Sequence, residues 1–180
     1  MLRLPSLIIC LFPCLLGLTA CTSTKHETLQ LSSESSYKLT KELEDVVNSY
    51  FKIYQQRSDF KSFMSFYHEQ AQFEDIVYGN HLKHKTDIKA FLNWQRGEFS
   101  LLNSDRLFTI NHQTIDEQTV TTQGYFHQFS YDGQVLGPWL FVMVHEFDSQ
   151  HKIIKQTDWI NYTPRENYLG GVNMNKVLIP

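Results

Sequence analysis

The chain has 180 residues and a formal net charge of -3. A near-neutral balance lacks the basic footprint that phosphate backbones select, which excludes nucleic acid as a partner. Rings are plentiful, with 13 Phe, 9 Tyr and 3 Trp, a supply suited to a core or a cavity walled by aromatic side chains.

The chain opens Met1-Leu2-Arg3 and continues from Leu4 to Leu18 without a charge. One positive residue followed by a short apolar run is the pattern of a secretory leader. As a helix the run would span roughly 22 Å, short of the roughly 30 Å hydrocarbon core, and Pro5 and Pro13 weaken it further as a permanent span. At its end, Leu18-Thr19-Ala20-Cys21 resembles the lipobox of bacterial lipoproteins. That resemblance implies cleavage after residue 20, a diacylglycerol thioether on Cys21 and acylation of the new amino group. Two or more acyl chains give stable membrane anchoring. An ordinary cleaved leader with a chance cysteine is the plainer alternative. The expected location is the cell envelope, and Thr22 in place of Asp implies the periplasmic side of the outer membrane in a Gram-negative host. Cys10 and Cys14 leave with the leader, so Cys21 is the last thiol of the mature chain. Disulfides, thiol nucleophiles and cysteine metal sites are then excluded together.

Residues 21–36 follow as a lipidated cysteine and a tether, in which eight of the fifteen residues from Thr22 to Ser36 are Ser or Thr. Residues 37–163 read as one domain. Leu39, Leu43, Val46, Val47, Tyr50, Phe51 and Tyr54 keep one helical face and predict a long amphipathic first helix. Asp59 is placed to cap a short second helix bearing Phe60, Phe63, Met64 and Tyr67. Gln70 to Tyr78 alternates as a strand ended by Gly79-Asn80, and Thr86 is the expected cap of a third helix through Ile88, Phe91, Leu92 and Gln95. Strands are then predicted over 106–114, 118–131, 135–147 and 152–162, joined by the turns Asp116-Glu117, Asp132-Gly133 and Asp148-Ser149. Long strands with short connections make an antiparallel meander. Helices first and strands afterwards make an α+β domain, with helices on one face of a curved sheet. Residues 164–180 show no clear period and read as an irregular tail.

This order of elements resembles the nuclear transport factor 2-like superfamily, which includes SnoaL-like domains. Two stretches carry the likeness. Phe73-Glu74-Asp75 through Gly79 and then Lys85-Thr86-Asp87-Ile88-Lys89-Ala90-Phe91 is similar to the family's first strand, turn and third helix, although His84 and Lys85 stand where a glycine is usual. Lys152-Ile153-Ile154-Lys155-Gln156-Thr157-Asp158-Trp159 is similar to its last strand. The resemblance implies a curved antiparallel sheet forming a cone, with about three N-terminal helices packed over it. It also implies chemistry mostly without metal or organic cofactor, in isomerases, dehydratases, cyclases and epoxide hydrolases, beside many members with no catalysis.

In such a cone a buried carboxylate has its pKa raised. Asp158 is the first candidate acid or base, expected to share its side of the last strand with Ile154, Gln156, Ile160 and Tyr162. Asp75 is the second, with acceptance of turn hydrogen bonds as its plainer role. His127 and His145 could move a proton near neutral pH, and a histidine simply held in the core is the commoner outcome for each. Tyr50, Tyr54, Trp94, Trp139, His145 and Tyr162 are the candidate ligand-binding walls, with plain core as their alternative. His81 and His84 lack a third ligand, so no metal site is expected. No glycine-rich phosphate loop or Gly-x-Ser-x-Gly elbow occurs. Three readings follow: a lipid-anchored domain binding a small apolar or amphipathic molecule, a cofactor-independent isomerase, dehydratase or cyclase using Asp158, and an assembly module forming a homodimer through its sheet, with Trp159 and Phe147 as exposed anchors.

Overall fold

The computed structural model describes residues 23–163 and 170–180, with residues 23–36 as backbone only. The leader, the lipobox and Cys21 lie outside the described residues. Two compact units are present, residues 1–37 and 38–180, and every strand belongs to the second.

Helix α1 spans Ser23–Gln56, so its backbone is helical through most of the stretch expected to be a loose tether. The predicted stripe is the buried one: Leu43, Val47, Tyr50 and Phe51 are all in the core. Leu39, assigned to the same stripe, is 56% exposed and takes no part in it. Helix α2, Phe60–Ser65, is capped as expected, with the Ser62 amide donating to Asp59 Oδ1 at 2.9 Å. Helix α3, Lys85–Phe91, departs from expectation at its start: His84 occupies the cap position at φ 70°, without a side-chain cap hydrogen bond, and Thr86 lies inside the helix.

Six strands form the main sheet in the order β2 (Asn80–Lys83), β1 (Tyr67–Asp75), β9 (Ile153–Ile160), β8 (Trp139–Phe147), β5 (Thr119–Phe126), β4 (Phe108–Asp116). The sheet is mixed rather than wholly antiparallel, because β1 and β9 run parallel. Their register sets Asp75 beside Asp158 and Phe73 beside Gln156. The segment around His81, which follows the Gly79-Asn80 turn, is strand β2 paired to β1.

The two longest predicted strands are each broken. The stretch 118–131 divides into β5 and β6 (Phe129–Tyr131), and 135–147 into β7 (Gln134–Leu136) and β8. Pro138 has no N–H for a ladder, and Gly137 holds φ 77°. The hairpin β6–β7 turns at Asp132-Gly133, both at positive φ, and pairs with β3 (Phe99–Leu101) as a separate three-stranded sheet. Gly124 on β5 permits a close crossing, since a Cβ there would lie 2.1 Å from the Thr109 carbonyl oxygen. The tail is less irregular than its sequence suggests. Helix α4, Met174–Leu178, is capped by Asn173, and its buried Asn175 accepts from the Leu140 amide at 3.0 Å.

The core fills the space between α1, α2 and the concave face of the sheet. Phe63 and Ile153 are fully buried, with Phe73, Phe108, Phe126, Phe141 and Phe147 around them. Burial of Phe147 corrects its assignment as an exposed anchor. Ile154 is also corrected: it is 38% exposed while Ile153 is buried, because the β8–β9 register shifts beside Phe147 and offsets the alternation by one residue.

Candidate functional site

From the middle of β9 onward Gln156, Asp158 and Ile160 are buried as predicted, with Thr157 between the first two buried as well. Asp158 is 5% exposed. Burial lifts its carboxyl to about 7; the Gln156 amide opposes that rise, and the negative charge of Asp75 adds to it. Gln156 Nε2 donates to both oxygens of Asp158, at 3.0 and 3.1 Å. Its Oε1 in turn accepts from the hydroxyls of Tyr50, at 3.3 Å, and of Tyr67. The two hydroxyls also touch each other at 3.2 Å. Two tyrosines, one amide and one carboxyl thus form a chain in which each polar group has a partner.

Asp75 is buried beside Asp158, and its oxygens are taken. Oδ1 accepts from the amides of Val77 and Tyr78, both at 3.1 Å, and Oδ2 accepts from the Tyr162 hydroxyl at 3.3 Å. The turn-capping role therefore accounts for one oxygen, while the other ties the end of β9 to the end of β1.

His145 also faces inward, opposite Gln156 on the ladder and against the Tyr50 ring at 4.9 Å. It is 1% exposed, and neither ring nitrogen has a hydrogen-bonding partner. Burial pulls its pKa down to about 3; Gln156 favours the charged form slightly without hydrogen-bond geometry to either nitrogen. A neutral imidazole locked in the core is no proton shuttle at neutral pH, nor is it a cavity wall. His127 is misplaced in the sequence reading. It lies between β5 and β6 and not mid-strand, one residue past the inward Phe126, and its Nε2 meets Thr109 Oγ1 at 2.9 Å. It therefore sits with Tyr125 on the opposite face of the strand.

A cavity of about 170 Å³ opens where the C-terminal end of α1, the small sheet and the main sheet meet. Tyr54, Trp139 and Tyr162 wall it, with Arg57, Phe99, Leu107, Phe126, Phe129 and Ile160. Burial pushes the Tyr54 hydroxyl up to about 12 and the Tyr162 hydroxyl higher still, so both are donors at any working pH. Asp158 is not among the wall residues, nor are Tyr50, His145 and Trp94. Tyr50 and His145 belong to the packed core, and Trp94 packs tilted at 4.8 Å against Phe63. Sequence reasoning missed six wall residues, the apolar Phe99, Leu107, Phe126, Phe129 and Ile160 and the charged Arg57, which shares no apolar period with its neighbours and stands just past the end of α1.

No metal-competent group of three His, Cys, Asp or Glu occurs among the described residues. His81 Nδ1 instead lies 3.3 Å from Glu74, which also meets Lys155 at 3.1 Å on the outer surface. No described helix is long and apolar enough to cross a membrane.

Solved structures share this arrangement at low sequence identity. A nuclear transport factor 2-like protein of unknown function from Burkholderia xenovorans superposes with a TM-score of 0.54 at 14% identity, covering 74% of this chain and 98% of that one. A candidate SnoaL-like polyketide cyclase from Shewanella putrefaciens gives 0.55 at 18% identity, over 67% of this chain and 90% of that one. An LEH-like epoxide hydrolase of M. tuberculosis gives 0.55 at 15%, over 68% and 84%. The fold is nuclear transport factor 2-like. No family model and no curated protein matches the sequence. A shared fold does not name a function, which rests on the side chains of the site.

Proposed function

We propose that this chain is a lipid-anchored envelope protein whose cone binds a small apolar or amphipathic molecule. The observation that carries the binding role is the aromatic cavity at the mouth of the cone, with the tyrosine hydroxyls and one cation as its polar groups. The acid pair does not compete for that role, since Asp75 and Asp158 are engaged by Tyr162, Gln156 and the turn amides. Titration of the purified chain with small cyclic compounds, followed through the fluorescence of Trp139 in the wall, should show saturable change that Trp139→Phe diminishes. A titration with no change in either protein would defeat the binding role. Anchoring rests on the lipobox resemblance: Cys21→Ser should abolish incorporation of labelled fatty acid and release the chain from the membrane fraction.

A second reading is a cofactor-independent isomerase, dehydratase or cyclase in which Asp158 moves a proton. A carboxyl poised at about 7 favours it, because proton transfer is most effective when the group's pKa lies near the working pH. Under this reading a substrate must displace Gln156 from Asp158, and Asp158→Asn should remove turnover while leaving binding in place. The assembly reading keeps Trp159, 43% exposed on the outer face beside a hollow of about 550 Å³ lined also by Leu140 and Leu178. Sedimentation of Trp159→Glu against the parent chain tests pairing there.

A further inference from the structure

Arg57 is the one charged residue among the cavity walls. Its guanidinium carbon lies 4.5 Å from the ring centroid of Phe99 and 5.3 Å from that of Trp94. Both rings meet the guanidinium with their faces, which accept its charge and leave its N–H groups as free hydrogen-bonding capacity. Among the described residues no carboxylate pairs with it and no acceptor takes those N–H groups. A half-buried cation without a counter-charge is unfavourable, and burial accordingly lowers its pKa. The backbone adds an independent sign. Arg57 holds φ 47° while its amide closes the last turn of α1 on the Ile53 carbonyl at 3.0 Å. This is the position where helices favour glycine or asparagine, and the Cβ of any other residue there carries strain of roughly 1 kcal/mol.

We propose that the cone takes a small aromatic or cyclic monocarboxylate, with the carboxylate received by the N–H edge of Arg57 and the ring held among Phe126, Phe129 and Trp139. The size fits, because about 170 Å³ is close to the roughly 150 Å³ apolar cavity that admits benzene. The geometry of a planar guanidinium suits two parallel hydrogen bonds to a carboxylate, a match that a neutral hydroxyl lacks. The assignment rests on the cone being a ligand cavity, as proposed above.

The test uses the full chain with benzoate and phenylacetate as anionic probes and benzyl alcohol and benzamide as neutral ones, followed by calorimetry. The carboxylates should bind the parent chain about tenfold or more tighter than the neutral probes, as a charge-assisted pair requires. Arg57→Gln should remove that advantage and leave the neutral probes unchanged. Arg57→Asn repeats the test with a residue that tolerates the left-handed backbone, so a folding defect in the glutamine variant does not obscure the outcome. Equal affinity for charged and neutral probes, or carboxylate binding that survives both substitutions, would overturn the Arg57 assignment while leaving the cavity intact. Failure of every probe to bind the parent chain would overturn the cavity reading and this assignment with it.

Discussion

The closed end and the open end of the cone hold opposite solutions to the same problem of polar groups near an apolar interior. At the closed end Tyr50, Tyr67, Gln156 and Asp158 satisfy one another, Asp75 is tied to Tyr162 and to its own turn, and the one unpartnered group, the neutral His145 ring, is sealed in the core away from the cavity. At the open end Arg57 has aromatic neighbours and no counter-charge among the described residues. A saturated network rigidifies the scaffold, whereas an unsatisfied cation beside a cavity is available to a ligand. The presence of acids in a cone is therefore a weaker guide to function than the question of which polar groups remain unpaired.

The largest expected effect separates two buried titratable groups at the closed end. Asp158 has its folded pKa raised from 3.8 to about 7, so the native state holds more protons than the unfolded one in that window. Its contribution to stability is present below about 4 and is lost as pH rises toward 7, by roughly 4 kcal/mol at most. His145 has its folded pKa lowered from 6.5 to about 3, so the unfolded state holds more protons there, and stability is lost as pH falls from 6.5 to 3 by a similar roughly 4 kcal/mol. The two slopes oppose each other. Urea unfolding between pH 4 and 6.5 should find the parent chain nearly flat, Asp158→Asn gaining stability as pH rises, and His145→Phe losing it. Parallel profiles in all three proteins would show that the network at the closed end is wetter than its burial indicates.

Gln156→Leu should be next in size. It strips a donor from Asp158 and an acceptor from two tyrosines, with an expected loss of about 2–4 kcal/mol in chemical denaturation. A loss below about 1 kcal/mol would mean that the chain of hydrogen bonds is dispensable. Tyr162→Phe should destabilise by about 1 kcal/mol and loosen the mouth of the cone, since it deletes only the hydroxyl that reaches Asp75 at 3.3 Å. Asp59→Ala, at the cap of α2 and outside the cavity wall, should also lower stability by about 1 kcal/mol with probe affinity unchanged. If the cap variant changed affinity as much as Tyr162→Phe, the separation of the two ends would fail.

Legibility in the sequence followed the range of the interaction. The stripe Leu43, Val47, Tyr50 and Phe51, the Asp59 cap and the Asp132-Gly133 turn are set by neighbours within a few residues, and each appeared where its spacing placed it. Ile154 and Leu39 departed because burial depends on what lies opposite, whereas Phe147 departed from its expected exposure although its alternation with Phe141, Met143 and His145 places it on the buried face. A bulge in the β8–β9 ladder shifts Ile154 outward, and no period in β9 announces it. Of the six residues chosen as cavity walls, Tyr54, Trp139 and Tyr162 line it, while Tyr50, Trp94 and His145 serve packing. Aromatic composition says that rings will be buried and leaves open which ones border empty space.

By itself the sequence determined the α+β class, the inward faces of α1 and of the end of β9, and the candidacy of Asp158, because side-chain period and local capping are properties of adjacent residues. Tertiary structure alone decided the parallel pairing that sets Asp75 against Asp158, the division of two long strands that folds β6 and β7 against β3, and the delivery of Arg57 into an aromatic cleft. Each of these joins segments far apart in the chain, and the partner of a strand or a cation is chosen by the packing of the whole domain rather than by the residues beside it.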